Sequence, residues 1–204
     1  MHDPRAFAEA RRRGAAARAG HDGDEIAARS YLADPDPGVR AAALASLVRI
    51  GCHRESDVEA ALGDSSSMVR SRLGELGGSV SAELGTEGLL RLLSDDDAGV
   101  VEAACFAAGE IGDRDKKVVA KLIAIATDHP DPLCRESAVA ALGAIGEESG
   151  LGAILVALRD RPAIRRRAVI ALAPFSGPEV ESALAAALED RDWQVRQAAE
   201  DLRS

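Results

Sequence analysis

The sequence predicts an all-α array of stacked helix pairs, and three observations carry that expectation. An apolar anchor, usually followed by Arg and a small-residue stretch, returns six times: Val39-Arg40, Val69-Arg70, Val100-Val101, Cys134-Arg135, Ile164-Arg165 and Val195-Arg196. The anchors are 30, 31, 34, 30 and 31 residues apart, a period that signals repeated supersecondary units. Val and Ile seldom alternate at period two, which argues against strands. Hydrophobic residues make up 47% of the 204 but aromatics only 2%, so the core must be Ala, Leu, Val and Ile, sizes that let helices approach closely.

Each unit reads as a helix, a short acidic turn and a second helix. In the first, the pattern predicts a helix over Asp24–Ala33, the turn Asp34-Pro35-Asp36-Pro37-Gly38, and a second helix to Ile50 closed by Gly51. Each X-Pro step discourages the α region in the preceding residue. Asp36 suits an N-cap and Pro37 a first helical turn. Later units repeat the scheme: Asp57–Gly63 with a helix through Leu76, and Glu87–Leu93 with one ending at Ile111-Gly112. Lys117–Ala126 precedes a helix ending at Ile145-Gly146, Leu151–Leu158 one ending near Phe175, and Pro178–Leu188 one running through Leu202. Gly after the last helical residue fits a left-handed C-cap. The stretch from Gly77 to Gly88 is the least regular and reads as a loop or a broken helix. Residues 1–23 read as a capping helix plus linker, with Phe7, Ala10 and the run Arg11-Arg12-Arg13, ahead of a repeat array over 24–204. Such arrays need their exposed ends covered.

Two segments give the units a recognisable look. Leu32-Ala33-Asp34-Pro35-Asp36-Pro37-Gly38-Val39-Arg40-Ala41-Ala42-Ala43-Leu44 resembles a HEAT repeat of the short bacterial, PBS-lyase-like kind. Asp131-Pro132-Leu133-Cys134-Arg135-Glu136-Ser137-Ala138 and its continuation to Gly146 resemble the same consensus. The resemblance covers about residues 24–204 and departs from the family at Val101, where Arg is usual, so the turn contact of that unit is expected to differ. It implies a right-handed α-solenoid of about six helix pairs, with first helices outside and second helices lining a concave face. The family is mostly scaffolds and adaptors, with exceptions that handle bilins, damaged DNA or a di-iron centre; fold alone does not choose among them.

Composition and motifs favour the non-catalytic class. The net charge of −9 argues against a general polyanion binder, whose affinity comes from neutralising phosphates. The turn carboxylates recur once per unit, which a single active site would not do; Asp–Arg contacts between units and helix caps account for them. His2, His21, His53 and His129 fall in termini or turns, and no His-Glu pair of the di-iron kind occurs. Three Cys without a C-x-x-C spacing give neither a disulfide framework nor a zinc site, and Cys52-His53 alone is too few ligands. No nucleophile elbow, phosphate loop or dinucleotide fingerprint occurs. No cofactor is expected. The N-terminus has no apolar signal region and no stretch approaches a membrane span, so the expectation is a cytoplasmic protein without membrane association.

The expected binding surface is the concave face of the solenoid, formed by the outward-pointing positions of the second helices. With the anchor at zero, core positions fall near 0, +4, +8 and +11, and +2, +6 and +10 point the other way. Position +2 reads Ala41, Ser71, Glu102, Glu136, Arg166, Gln197; position +6 reads Ala45, Glu75, Phe106, Ala140, Ile170, Asp201; position +10 includes Arg49 and Glu110. Glu102, Phe106, Glu110, Glu136, Arg166 and Ile170 are the expected contacts for a protein partner, a basic or amphipathic segment. Phe106 and Ile170 are either groove anchors or packing between units. Trp193 is either a further anchor or a plug beneath the last helix. Two alternatives stand beside this adaptor: a nucleic-acid-associated protein using Arg159, Arg161, Arg165, Arg166 and Arg167, and a lyase or chromophore chaperone implied by the family name alone. Acidity and the lack of stacking aromatics make nucleic acid the weaker partner.

Overall fold

The computed structural model describes residues 4–203, all of whose regular elements are helical. The chain divides into two compact units, one running to Ala103 and one comprising Ala104–Ser204. The first contains α1 (Pro4–Asp22), α2 (Glu25–Ser30), α3 (Pro37–Arg49), α4 (Glu55–Leu62), α5 (Ser67–Glu75) and α6 (Ser81–Leu92). Helix α7 (Ala98–Ile111) begins in the first unit and ends in the second. The second continues with α8 (Lys116–Asp128), α9 (Pro132–Ile145), α10 (Leu151–Ala157), α11 (Pro162–Ala171), α12 (Pro178–Ala187) and α13 (Trp193–Arg203). Six pairs, α2/α3 through α12/α13, match the six units of the sequence.

The anchors do the work their period implies. Val39, Val69, Val100, Cys134, Ile164 and Val195 are all buried, as are the +4 and +8 residues Ala43 and Leu47. Within each unit, second helices stack on second helices: α1 on α3 and α3 on α5, then α9 on α11 and α11 on α13. Small residues set that spacing. A Cβ on Gly143 of α9 would stand 2.6 Å from the Ala171 Cα, so only glycine permits this approach to α11. Gly146 takes a left-handed φ of 65° and returns its N–H to the Leu142 carbonyl at 3.0 Å, ending α9 where the sequence places its cap. The irregular Gly77–Gly88 stretch is the broken helix: a short 3-10 turn, Gly77–Val80, leads into α6, which Gly85 interrupts at φ 58° and ψ 173°.

Helix α1 packs chiefly on α3, in the row of second helices, and so stands as half a repeat. The Ser46 hydroxyl donates to the Ala16 carbonyl at 2.8 Å, and Gly20 lies so close to Ser46 that a Cβ would stand 2.6 Å from its Oγ. Position +2 is therefore partly covered, and Ala41 of α3, expected on the open face, is buried instead. His2 lies outside the described residues.

The acidic residues of the turns divide the labour by position, although the turns at Asp64 and Asp160 carry only the first of the two. The second caps the following helix: Asp36 accepts from the Val39 N–H at 3.0 Å, Asp131 from Leu133 at 2.8 Å and Asp192 from Gln194 at 2.9 Å. The first accepts a backbone N–H within its own turn, as Asp64 does from Ser66 at 2.8 Å, and also the arginine fork of the preceding unit. Arg40 holds Asp64 at 2.8 Å through both Nε and Nη2; Arg70 holds Asp95 at 2.6 and 2.9 Å. Arg135 holds Asp160 at 2.8 and 3.1 Å, and Arg165 holds Asp190 at 2.9 and 2.8 Å. Helix α1 supplies the first rung, with Arg12 on Asp34 at 2.8 and 3.2 Å. Arg40, Arg70, Arg135 and Arg165 also use Nη1 on a carbonyl of their own turn, Arg40 on Asp34 and Arg165 on Asp160, so each of these guanidinium groups ties one turn to the next. Planar forked donors suit this role, and lysine would not replace them.

Two positions depart from the ladder pattern. Val101 stands where the other second helices carry Arg and is buried. His129 stands where the other turns carry their first acid. His129 keeps half of that acid's role: its Nδ1 accepts the Asp131 N–H at 3.1 Å, while its own carbonyl takes the Arg135 Nη1 at 2.9 Å.

The arginine contacts shift the acids. Hydrogen bonds from the arginines, opposed by burial and helped by backbone N–H groups, hold Asp64, Asp95, Asp160 and Asp190 below the ordinary carboxylate range. For Asp34, burial pushes upward most strongly, yet the bonds from Arg12 and the Asp36 N–H outweigh it and the carboxyl is again lowered.

Candidate partner-binding groove

In the second unit, α11 and α13 leave a groove of about 400 Å³ between their outward faces. Arg166, Ile170 and Ala173 form one wall; Trp193, Gln197 and Asp201 line the other. The helical period explains who meets whom. Arg166 and Ile170 are four residues apart on α11, as are Gln197 and Asp201 on α13, so each pair shares a face. Trp193 lies one turn before Gln197, at the start of α13, where the Asp192 cap sets the helix going. Ile170 is 41% exposed and Trp193 64% exposed, so a large aliphatic and the only Trp of the chain stand open to solvent. At the polar edge, the Gln197 amide donates to the Asp201 carboxylate at 2.9 Å.

The expected contacts are placed as follows. Phe106 of α7 is 57% exposed, and Glu110, one turn later, is also exposed. Neither Phe106 nor Ile170 is buried, although every second-helix anchor is. Arg166 is exposed and lines the groove. Glu136 of α9 is half-buried and its Oε1 lies 3.6 Å from the Arg167 Nε, so it is balanced within the unit. Glu102, on the part of α7 that belongs to the first unit, is half-buried. The groove thus gathers Arg166 and Ile170 with Trp193, Gln197 and Asp201; Phe106 and Glu110 do not line it. The signal for Trp193 in the sequence was its position two residues before an anchor, in a turn, where a side chain has little to pack against.

The arginines of the alternative reading are not gathered. Arg165 is only 5% exposed, its Nε and Nη2 on Asp190 and its Nη1 on the Asp160 carbonyl, so those three nitrogens are engaged. Arg159 lines a different cleft with Glu179 and Ser182 of α12, Arg161 precedes α11, and Arg167 faces Glu136. Arg166 alone of the five enters the α11/α13 groove. Among the described residues, no group of three or more His, Cys, Asp and Glu is arranged to hold a metal ion. Cys105 and Cys134 are buried within helices, as small apolar side chains would be. No helix among the described residues is long and apolar enough to cross a membrane.

The family profile described as HEAT repeats matches residues 55–143 and 86–162, together more than half of the chain. The chain belongs to the HEAT-repeat family, and its fold class is that of the all-α solenoids. A search of curated protein sequences finds no match. Among solved structures, the chain is similar to a designed armadillo repeat protein in complex with the peptide (KR)4, at 17% identity and a TM-score of 0.64, over 86% of this chain and 96% of that one. It is also similar to the complex of CpcE and CpcF of phycocyanin lyase from Nostoc sp. PCC7120, at 23% identity and 0.62, over 86% and 74%. Importin beta matches at 15% identity and 0.62, over 98% of this chain and 32% of that one. At these identities the likeness concerns the fold.

Proposed function

We propose that this protein is a non-catalytic adaptor that binds a basic or amphipathic segment of a protein partner on the outward face of its second helices, centred on the α11/α13 groove. The observation that carries the reading is the exposure of Ile170 and Trp193 on the two walls of one groove. Large apolar side chains open to water at the centre of a concave site are the usual anchors of an interface, and Trp and Arg are prominent among them. Asp201 on the α13 wall and Glu110 and Phe106 on α7 extend the surface with carboxylates and a further apolar anchor. An amphipathic helix would lay its apolar stripe on Ile170 and Trp193 and turn its basic residues to the acids. The designed armadillo protein solved with (KR)4 is a repeat protein of this fold holding a basic peptide, and supports the same choice of ligand here.

The test uses a fluorescein-labelled amphipathic helix of Lys and Leu, followed by anisotropy. The expected result is saturable binding that Ile170→Asp with Phe106→Asp weakens by roughly tenfold or more, a change of at least one anchor's worth, while the circular dichroism melt stays in place. A collapsed melt would mean that these side chains carry packing, and unaltered binding would remove the groove from the site.

A further inference from the structure

The first unit holds a cleft of a different kind. Helices α1, α3 and α5 enclose about 320 Å³ over a floor that includes Ala41 and Ala45. Arg13 of α1, Arg49 of α3 and Arg72 of α5 converge on it, with Met68 of α5 beside them. Met68 is 55% exposed, and all three arginines are exposed. They differ from the ladder arginines of the same unit, each of which holds a carboxylate. Arg13 and Arg49 have no carboxylate partner among the described residues, and Arg72 pairs only with Glu75 of its own helix. The chain has 34 acidic residues against 25 basic ones. Leaving guanidinium groups unpaired around one cleft therefore keeps like charges together that nearby acids could have neutralised. The cleft is also built on fixed elements, because the Ser46–Ala16 bond and the close approach at Gly20 lock α1 onto α3.

We propose that the α1/α3/α5 cleft binds an acidic segment of a partner protein, its carboxylates on Arg13 and Arg49 and a neighbouring apolar side chain on Met68. The guanidinium fork matches a carboxylate with two parallel hydrogen bonds, and a flexible thioether adapts to varied apolar side chains. Nucleic acid fits less well, since the His21 imidazole is the one ring lining the cleft and no Phe, Tyr or Trp stands there for successive bases to stack on. This site is independent of the α11/α13 groove: it lies in the other unit and selects the opposite charge.

The probe is a fluorescein-labelled peptide alternating Glu and Leu, beside its Gln-for-Glu counterpart, titrated with the full chain. The acidic peptide is expected to bind about tenfold or more tightly than the neutral one, and more weakly as salt rises. Arg13→Glu with Arg49→Glu should abolish that preference and create one for a Lys-Leu peptide, with the melt unchanged; Arg13→Gln alone should weaken binding without reversing it. Ile170→Asp should leave this binding as it was. Equal affinity for the acidic and neutral peptides overturns the proposal. So does stronger competition by oligothymidylate than by unlabelled acidic peptide. Self-association by sedimentation that the double Glu variant abolishes, without acidic-peptide binding, would make a second copy the occupant and would equally overturn it.

Discussion

Arg165 and Arg166 are neighbours on α11, yet one is buried in the turn ladder and the other stands open in the groove. The difference comes from helical phase: a step of 100° carries the first toward the next turn and the second toward the outward face. On α11, position +1 is held by a carboxylate of the following unit, whereas +2 and +6, Arg166 and Ile170, are exposed. The same side-chain chemistry thus joins repeats on one side and offers itself to a ligand on the other. The lesson extends to α1, where Arg12 forms a rung and Arg13 lines a cleft.

The contrast can be broken from the ladder side first. Five aspartates are held below the unfolded value of about 3.9, so their contribution is fully present above that pH and is lost as pH falls through the lowered folded values. Thermal melts from pH 6 downward should fall steeply below about pH 4, and an unchanged melting temperature there would mean the ladder contributes little. Next in size is Arg165→Ala, which leaves the largely buried Asp190 with only its bond from the Asp192 N–H and no arginine, and should cost on the order of 3 kcal/mol in urea unfolding. Gly143→Val drives a side chain into the Ala171 backbone and should cost about 1–3 kcal/mol, with α9 and α11 forced apart. His129→Ala removes one acceptor for the Asp131 N–H and should cost about 1 kcal/mol, which His129→Asp should restore. Arg166→Ala should change stability by less than about 0.5 kcal/mol. Comparable losses for Arg165→Ala and Arg166→Ala would erase the distinction between the two faces.

The repeat, its anchors, its caps and the outward phase of Phe106 and Ile170 were legible because each depends on a local period or a turn residue. The missing ladder arginine at Val101 was equally visible. What was hidden depends on how helices dock. Nothing in Arg11-Arg12-Arg13 tells which arginine meets Asp34 and which faces α3; the Gly20–Ser46 approach decides that register. Ala41 has the period of an exposed residue and is buried because α1 stacks in the second-helix row. The pairing of Trp193 with Ile170 follows from the cap that starts α13, which brings a turn residue alongside α11. The substitution of an imidazole nitrogen for a turn carboxylate at His129 needed the actual geometry, since a histidine in a turn ordinarily reads as solvated.

The emission of Trp193 offers the most direct test of the central claim, because it is the only tryptophan and stands in the groove. Titrating the unlabelled Lys-Leu helix, which carries no aromatic residue, should shift that emission to the blue and shield it from iodide, with a saturation curve that Ile170→Asp displaces to higher concentration. Saturable binding of the peptide with the Trp193 emission and its quenching unchanged would contradict the claim and place the partner elsewhere on the molecule.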